Sequence, residues 1–325
     1  MKLSNFFKRR MIWRIGIYRL PSIGEIFNLN RFEPLGVIGE HGFRKSVNYA
    51  SVCADPFLFV QDDSVFVFFE RKTDYDHGEI HAVMVSPGGE FQELGCVLRE
   101  KHHLSYPQVF RIDNEIYMLP ETATAGHVRL YRAKAFPREW ELVSTLTETP
   151  YLDPTIYKDG EDIYMFGTSR EGVLDIFRID NHGNAVFMQT ARVQPEFSRC
   201  GGGFIKFDGT RFRVAQTGSL RYGEGIAFLR VESVAAVYKE TVQPELKLFN
   251  AAPWWAECGH HHLSVACCSG VYYVAVDGQS YDRYSNTLMH AAISATRSLS
   301  SKGFGRWSPF GRSRMSVSTD ENAAH

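Results

Sequence analysis

No stretch of the chain approaches the roughly 18 consecutive apolar residues that a membrane-crossing helix requires, and no long apolar pattern of helical period runs along it. Charge imbalance is missing too. A formal net charge of -1 and a pI near 6.9 leave no global field to attract nucleic acid or an acidic membrane, so either partner would need a local patch. The six cysteines (Cys53, Cys96, Cys200, Cys258, Cys267 and Cys268) form no CxxC and no small-framework spacing, which favours buried free thiols in a reducing compartment over disulfides. The opening "MKLSNFFKRRMIWRIGIYRLP" is basic, but Arg14 interrupts its apolar run and no small-residue cleavage site follows. It reads as no signal peptide, and "MIWRIGIY" reads as a β-strand rather than a surface anchor. What remains is ample: 325 residues, 44% hydrophobic and 14% aromatic, describe a globular protein with room for a large core.

The apolar content falls into short β-type blocks, each with a turn signal in its middle. "FLFVQDDSVFVFF", "VFRIDNEIYML", "TIYKDGEDIYMF", "FIKFDGTRFRVA" and "LSVACCSGVYYVAV" turn at DDS, DNE, DGE, DGT and CSG. Asp, Asn and Gly belong there because they bond their own backbone or tolerate positive φ. Aligned on those turns, the five hairpins show one constant spacing: Asp55 and Glu70, Tyr106 and Glu121, Asp153 and Thr168, Gly201 and Gln216, His262 and Asp277 all stand 15 apart. Positions so spaced are expected side by side at the open ends of the hairpins. Successive hairpins start 51, 47, 48 and 61 residues apart, the period of a four-stranded propeller blade.

The fold expected is therefore all-β, a five-bladed β-propeller. Outer strands would come from "EIHAVMVS", "VRLYRA", "VLDIFRI" and "GIAFLRV", with "NTLMHAAIS" as a further strand of the fifth blade and "MIWRIGIY" closing the ring. A β-sandwich would not impose the constant spacing. The expected division is a basic extension over 1–11, the propeller over 12–295, and a disordered basic tail over 296–325, where "RSLSSKGFGRWSPFGRSR" has five basic groups and no acid.

Inner strands of a propeller surround one axis, so the ten mouth residues should converge on one face. Asp55, Glu70, Glu121, Asp153 and Asp277 would then share a pocket with Tyr106, Gln216 and His262, completed by Thr168 and Gly201. Converging carboxylates raise one another's pKa, the arrangement that separates a proton donor from a base. "GHHHLS" would put His260 and His262 on one strand face and His261 on the other. "RCGGGF" opens a strand, not a helix, so it is expected to let backbones approach at the pocket floor rather than cradle phosphate. Arg199 beside it would meet an anionic sugar or phosphate, or else make a buried salt bridge. Tyr106, Trp254 or Trp255 could offer a sugar-stacking face, although tryptophan pairs in propellers more often pack between blades.

These motifs carry a family likeness. The five-bladed ring with an "ADPF" start resembles the glycoside hydrolase family 43 propellers. More closely, "ADPFLF", "FFE", "HLSYPQVF", "IYMLPE", "LYRAKAFPREW", "DPTIY", "AQ", "YGEGI" and "GHHHLS" resemble the N-terminal propeller domain of the plant glucosamine inositolphosphorylceramide transferases, from about residue 12 to about 290. The hydrolase likeness implies a base at Asp55, but Tyr106 stands where those enzymes keep a tuning Asp, and Asp153 where they keep a Glu acid.

The resemblance implies a carbohydrate-active propeller working on a glycosyl unit in surface-polysaccharide or glycolipid assembly. Asp55, Glu121 and Asp153 are its candidate catalytic residues, and Glu70, Tyr106, Thr168, Arg199, Gln216, His262 and Asp277 its candidate substrate contacts. The alternative is a non-catalytic glycan-binding module serving a separate glycosyltransferase. The expected partner is a saccharide or sugar-lipid, with no nucleic acid and no transmembrane segment. No cofactor is expected beyond an axial calcium that the likeness suggests beside His262. The expected location is cytoplasmic, with basic-tail contact at the inner face of a membrane.

Overall fold

A computed structural model describes residues 11–39, 50–73, 76–180, 183–218 and 222–281. "NTLMHAAIS", residues 1–10 of the expected 1–11 extension and the 296–325 tail lie outside these residues. Strands form five sheets of four. The first blade comprises Ala50–Gln61, Ser64–Thr73, Glu79–Val85 and Phe91–Leu98, and the second Ser105–Ile112, Glu115–Glu121, Val128–Ala135 and Glu139–Thr147. Leu152–Asp159, Asp162–Thr168, Leu174–Ile179 and Ala185–Thr190 build the third. Ile205–Phe207, Thr210–Thr217, Gly225–Ser233 and Lys239–Val242 build the fourth.

The fifth blade closes the ring in a way the sequence shows only in part. Its inner hairpin, Leu263–Cys268 and Val271–Tyr281, pairs with Met11–Leu20, and Gly36–Ile38 adds the outermost strand. The N-terminal segment thus supplies two of the blade's four described strands, not one.

Each blade buries both faces, which explains why its strands are continuously apolar rather than alternating. In "VFVFF", Val65, Val67 and Phe69 pack toward the fifth blade with Ile15, Ile17 and Ala275, whereas Phe66 and Phe68 pack toward the second with Val109, Met118 and Tyr131. Five such apolar clusters occupy the five blade interfaces. Trp255 belongs to the one between fourth and fifth blades, where its ring fills the space a side chain at Gly16 would need. The six cysteines are free, with Cys96 and Cys267 exposed and the other four buried.

The hairpin mouths are not the flush pairs that a spacing of 15 suggests. In three blades the register slips by one residue at the same place, so that Glu70 faces Ala54, Glu121 faces Ser105, and Thr168 faces Leu152. The slip is a bulge at Asp55-Pro56, Tyr106-Pro107 and Asp153-Pro154. Proline is tolerated there because the ladder is already broken. Asp55, Tyr106 and Asp153 adopt φ of 53°, 50° and 47°. Each such residue costs about 1–3 kcal/mol, and strain of this kind concentrates at functional sites. In the fifth blade His262 and Asp277 do pair directly, linked by the Asp277 N–H to the His262 carbonyl at 3.3 Å.

Candidate functional site

The bulges turn three side chains inward where the inner strands begin. Carboxylates at the ends of the second inner strands then catch the bulge amides of the neighbouring blades. Asp277 Oδ2 accepts the Asp55 N–H at 3.2 Å, and Glu121 Oε2 accepts the Asp153 N–H at 3.0 Å. The Asp153 carboxylate Oδ2 is held in turn by Arg199, Nε at 2.7 Å and Nη2 at 2.6 Å, and by Gln216 Nε2 at 2.7 Å. These bonds make two linked groups, Asp55 with Asp277 and Glu121 with Asp153, Arg199 and Gln216. Glu70 lies at their edge, with His103 Nε2 at 3.5 Å. His103 Nδ1 accepts the Gly78 N–H at 2.9 Å, which fixes the neutral tautomer whose Nε2–H faces Glu70.

Three residues sit deeper than expected. The Tyr106 hydroxyl is fully buried, sharing hydrogen bonds with Thr155 Oγ1 at 2.9 Å, the Gly202 N–H at 2.8 Å and the Gly202 carbonyl at 3.2 Å. Thr168 Oγ1 donates to the Ser198 carbonyl at 2.8 Å. His262 packs edge to face against Phe57 and Tyr106, with ring centroids 4.6 and 5.0 Å away. These rings plug the axis beneath the carboxylates. Below the plug a separate cavity of about 640 Å³ opens at the turn ends, walled by Phe57, Tyr157 and Phe204. Gly201 and Gly202 allow the close approach expected of "RCGGGF": a Cβ on Gly202 would stand 1.9 Å from the Leu263 carbonyl.

His261 is the main correction. Residues 260–262 precede the strand and do not alternate, so His261 faces the pocket instead of turning away from it. Its Nδ1 lies 2.5 Å from Asp277 Oδ2 and its Nε2 3.6 Å from Asp55 Oδ1. The Tyr222 hydroxyl meets Nε2 at 2.6 Å, and the Trp13 ring lies over the imidazole at 4.4 Å. Arg199 stands 5.6 Å from the centre of the Tyr222 ring. Trp13 and Tyr222, rather than Tyr106 or the tryptophan pair, thus form the aromatic wall, while Trp254 lies against Arg14. The only sequence signals for them were an aromatic in the closing strand and "YGEGI". A side pocket of about 250 Å³ opens beside Arg199, Gln216 and Tyr222.

The electrostatics divide the carboxyl groups into two kinds. Burial, with Asp153 beside it, pushes Glu121 up to about 8 against the pull of Arg199. Burial likewise pushes Glu70 up to about 8, Lys72 opposing. Asp55 is raised well above the ordinary carboxyl range by burial, with Asp153, Glu70 and Asp277 adding and His261 opposing. Asp277 goes the other way, since His261 more than offsets its burial. Burial would lower His261, but Asp277, then Asp55 and Asp153, hold it up at about 9. Asp55, His261 and Asp277 present ligand atoms all within 4.8 Å of one another, a grouping compatible with a divalent ion. His261 Nδ1 faces Asp277 and its Nε2 meets the Tyr222 hydroxyl, so an ion bound there would have to displace one of these contacts.

With this geometry established, the known proteins that resemble the chain can be placed. A family described as "Glucosamine inositolphosphorylceramide transferase 1, N-terminal" matches residues 41–279. The chain belongs to this family. Glucosamine inositolphosphorylceramide transferase 1 of Arabidopsis thaliana is 31% identical over 267 residues, covering 76% of this chain and 34% of that protein. Its counterpart from Oryza sativa subsp. japonica is 32% identical, covering 69% and 33%. The chain therefore spans about a third of the length of the curated relatives it matches. Among solved structures, the Bacteroides ovatus "Xyloglucan PUL GH43B" superposes with a TM-score of 0.54 at 14% identity, covering 74% of this chain and 54% of that one. CoXyl43, a β-xylosidase/α-arabinofuranosidase from a compost metagenome, gives 0.51 at 13% identity, covering 70% and 90%. These likenesses establish the family 43-like propeller fold. Among the described residues no helix is long and apolar enough to cross a membrane.

Proposed function

We propose that the protein is a carbohydrate-active propeller acting on a glycosyl unit, in glycolipid or surface-polysaccharide assembly, at the Asp55, Glu121 and Asp153 mouth. The observation that carries this reading is the unequal pair formed by Glu121 and Asp153. Glu121 Oε2 accepts the Asp153 N–H at 3.0 Å, and Arg199 and Gln216 hold the Asp153 carboxylate. Burial and the neighbouring Asp153 push Glu121 up to about 8, which makes Glu121 the proton-bearing member of the pair. Of the two candidate donors, Glu121 therefore takes the acid role, and Asp153 positions Glu121 and Arg199. A carboxyl with a pKa near the working pH is the efficient acid, and Asp55, once ionised, is the base or nucleophile of this reading. Their separation would decide the outcome, about 6.5–9.5 Å for inversion and about 5 Å for retention.

The relatives' printed name, a transferase of glucosamine inositolphosphorylceramide, supports a sugar-lipid substrate and a neighbouring glycosyltransferase. A cytoplasmic location at the inner face of a membrane belongs to the same reading.

The test uses a panel of p-nitrophenyl pentosides, hexosides and glucosaminides for turnover, and calorimetry with the free sugars for binding. Asp55→Asn and Glu121→Gln keep shape, so each should cut kcat/KM by about 10²–10⁴ while sugar still binds. Binding without any wild-type turnover would move the protein to the glycan-binding reading. Full activity in both variants would place the chemistry elsewhere.

A further inference from the structure

Away from the mouth, the outer half of the first blade brings together a carboxylate, an imidazole and a thiol. Glu79 and His81 stand two apart on its third strand, Glu79–Val85, and so project from the same sheet face. Cys96, on the outermost strand Phe91–Leu98, is the direct cross-strand partner of His81. That pairing depends on a bulge: Ile80 faces Leu98 and the next pair is His81 with Cys96, so Val97 is the extra residue. Without the slip, Val97 would stand opposite His81. One ligand atom from each of Glu79, His81 and Cys96 lies within 4.8 Å of the other two. Tetrahedral zinc holds its ligand atoms about 3.3–3.7 Å apart, so small side-chain rotations are enough to close the set around an ion. Arg99 Nε donates to Glu79 Oε2 at 2.6 Å, which orients the carboxylate and leaves Oε1 toward His81 Nε2 at 2.7 Å. Phe69, across the other strand boundary from His81, covers one flank of the imidazole with ring centroids 6.1 Å apart. Arg71 Nη1 stands 3.7 Å from Glu79 Oε1. A thiolate and a carboxylate together cancel the charge of a divalent ion, so the loaded site would be neutral beside the Arg71 and Arg99 guanidiniums. Cys96 is exposed, which gives an ion a way in from solvent.

We propose that Glu79, His81 and Cys96 form a zinc site on the outer part of the first blade, tying its third strand to its edge strand. The ligand types decide the ion. A thiolate with an imidazole and one carboxylate selects zinc over calcium and magnesium, which take oxygen ligands. Three protein ligands leave the fourth tetrahedral position to water. The Cys96 S–H now points at the Leu98 carbonyl, with Sγ 3.7 Å from the oxygen. On binding, that S–H bond breaks, its proton goes to solvent and the zinc–sulfur bond forms. The edge strand pairs on one side only, with Glu79–Val85, and the ion adds a second link between the same two strands.

The test uses the full chain, reduced and stripped of metal, with cobalt(II) and zinc as probes. Cobalt should produce a thiolate-to-cobalt charge-transfer band in the near ultraviolet, saturating at one ion per chain and lost when zinc is added. The Asp55, His261 and Asp277 group contains no thiol and cannot give this band. Cys96→Ser should abolish it, and His81→Gln should weaken cobalt binding at least about tenfold. Because Cys96 is exposed, Cys96→Ser without metal should melt with the wild type. Zinc at a hundredfold excess over its dissociation constant should then raise the wild-type midpoint by roughly 5 °C more than that of Cys96→Ser. A wild type that shows no thiolate band overturns the inference. So does the same band in Cys96→Ser, which would place it at another cysteine such as Cys267, or a zinc-induced shift of equal size in both proteins.

Discussion

Asp277 of the fifth blade accepts the backbone N–H of Asp55 of the first at 3.2 Å. The second and third blades repeat the arrangement, with Glu121 accepting the Asp153 N–H. A carboxylate at the end of the second inner strand ties each of these blades to the next blade's bulge. This gives the constant spacing of 15 a structural cause as well as a chemical one. The same carboxylates hold the ring together and line its pocket, so stability and site chemistry are linked at these positions.

Asp277→Ala should consequently destabilise more than an ordinary core truncation. It removes the carboxylate that faces His261 Nδ1 and leaves three amides without their acceptor. Breaking a buried ion pair from one side costs about 3–5 kcal/mol. Urea unfolding should show a loss in that range, with Asp277→Asn milder because it keeps one acceptor oxygen. A loss below about 1 kcal/mol for alanine would mean that the link from fifth to first blade does not depend on this carboxylate.

Stability should fall as pH rises from about 6.5 to about 9. Glu70 and Glu121 go from the ordinary 4.5 up to about 8 on folding, and His261 from 6.5 up to about 9. Groups raised in the folded state stabilise fully below their unfolded pKa, and that contribution disappears as pH climbs through the folded one. His103 and His260, lowered to about 4, and His262, lowered to about 3, have the opposite sign, but their contribution is lost only as pH falls below 6.5. Thermal midpoints across this alkaline window should therefore decline, and Glu121→Gln, which mimics the protonated acid, should decline less. Equal slopes in both proteins would remove Glu121 from the group of raised acids.

Much of this was legible in the sequence because propeller blades repeat. Turn residues such as Asp62 and Asp63, with φ of 49° and 55°, mark each hairpin, and the constant spacing aligned the mouths. The bulges were hidden because an inserted residue alters register without altering the spacing between Asp55 and Glu70. His261 was hidden because strand alternation does not apply to residues 260–262, which lie in irregular backbone. Tyr106 misled for a related reason: its bulge places it on the axis, but only the register of Gly202 shows that its hydroxyl is already bonded. Gly36–Ile38 was too short a strand to stand out by periodicity.

Gly202 and Gly203 are adjacent and should respond oppositely to alanine. Gly202 has φ +128° and almost touches the Leu263 carbonyl, so a methyl group meets both strain and backbone overlap. Gly203 has its nearest atoms, from Gln108 and Phe57, at 3.9 Å, which is ordinary contact. Gly202→Ala should cost upwards of about 3 kcal/mol or prevent folding, and Gly203→Ala should stay within about 1 kcal/mol of wild type. Circular dichroism melts of the two variants decide the matter. Equal stability would mean that the backbones do not approach closely there.

Tyr222 is the exposed member of the aromatic wall, its hydroxyl reaching His261 while 56% of the residue remains accessible. An aromatic placed this way offers a sugar one apolar face and one polar tip. Tyr222→Phe removes the hydroxyl contact and keeps the ring, whereas Tyr222→Ala removes both. Calorimetry with the monosaccharide panel should show at least about tenfold weaker binding for alanine and a smaller change for phenylalanine, equivalent to about 1.4 kcal/mol for the ring. Because the side chain is largely exposed, both variants should melt close to wild type. Unchanged affinity in Tyr222→Ala would mean that the glycan enters past Trp13 or Arg199 instead, and leaves Tyr222 as a partner of His261 alone.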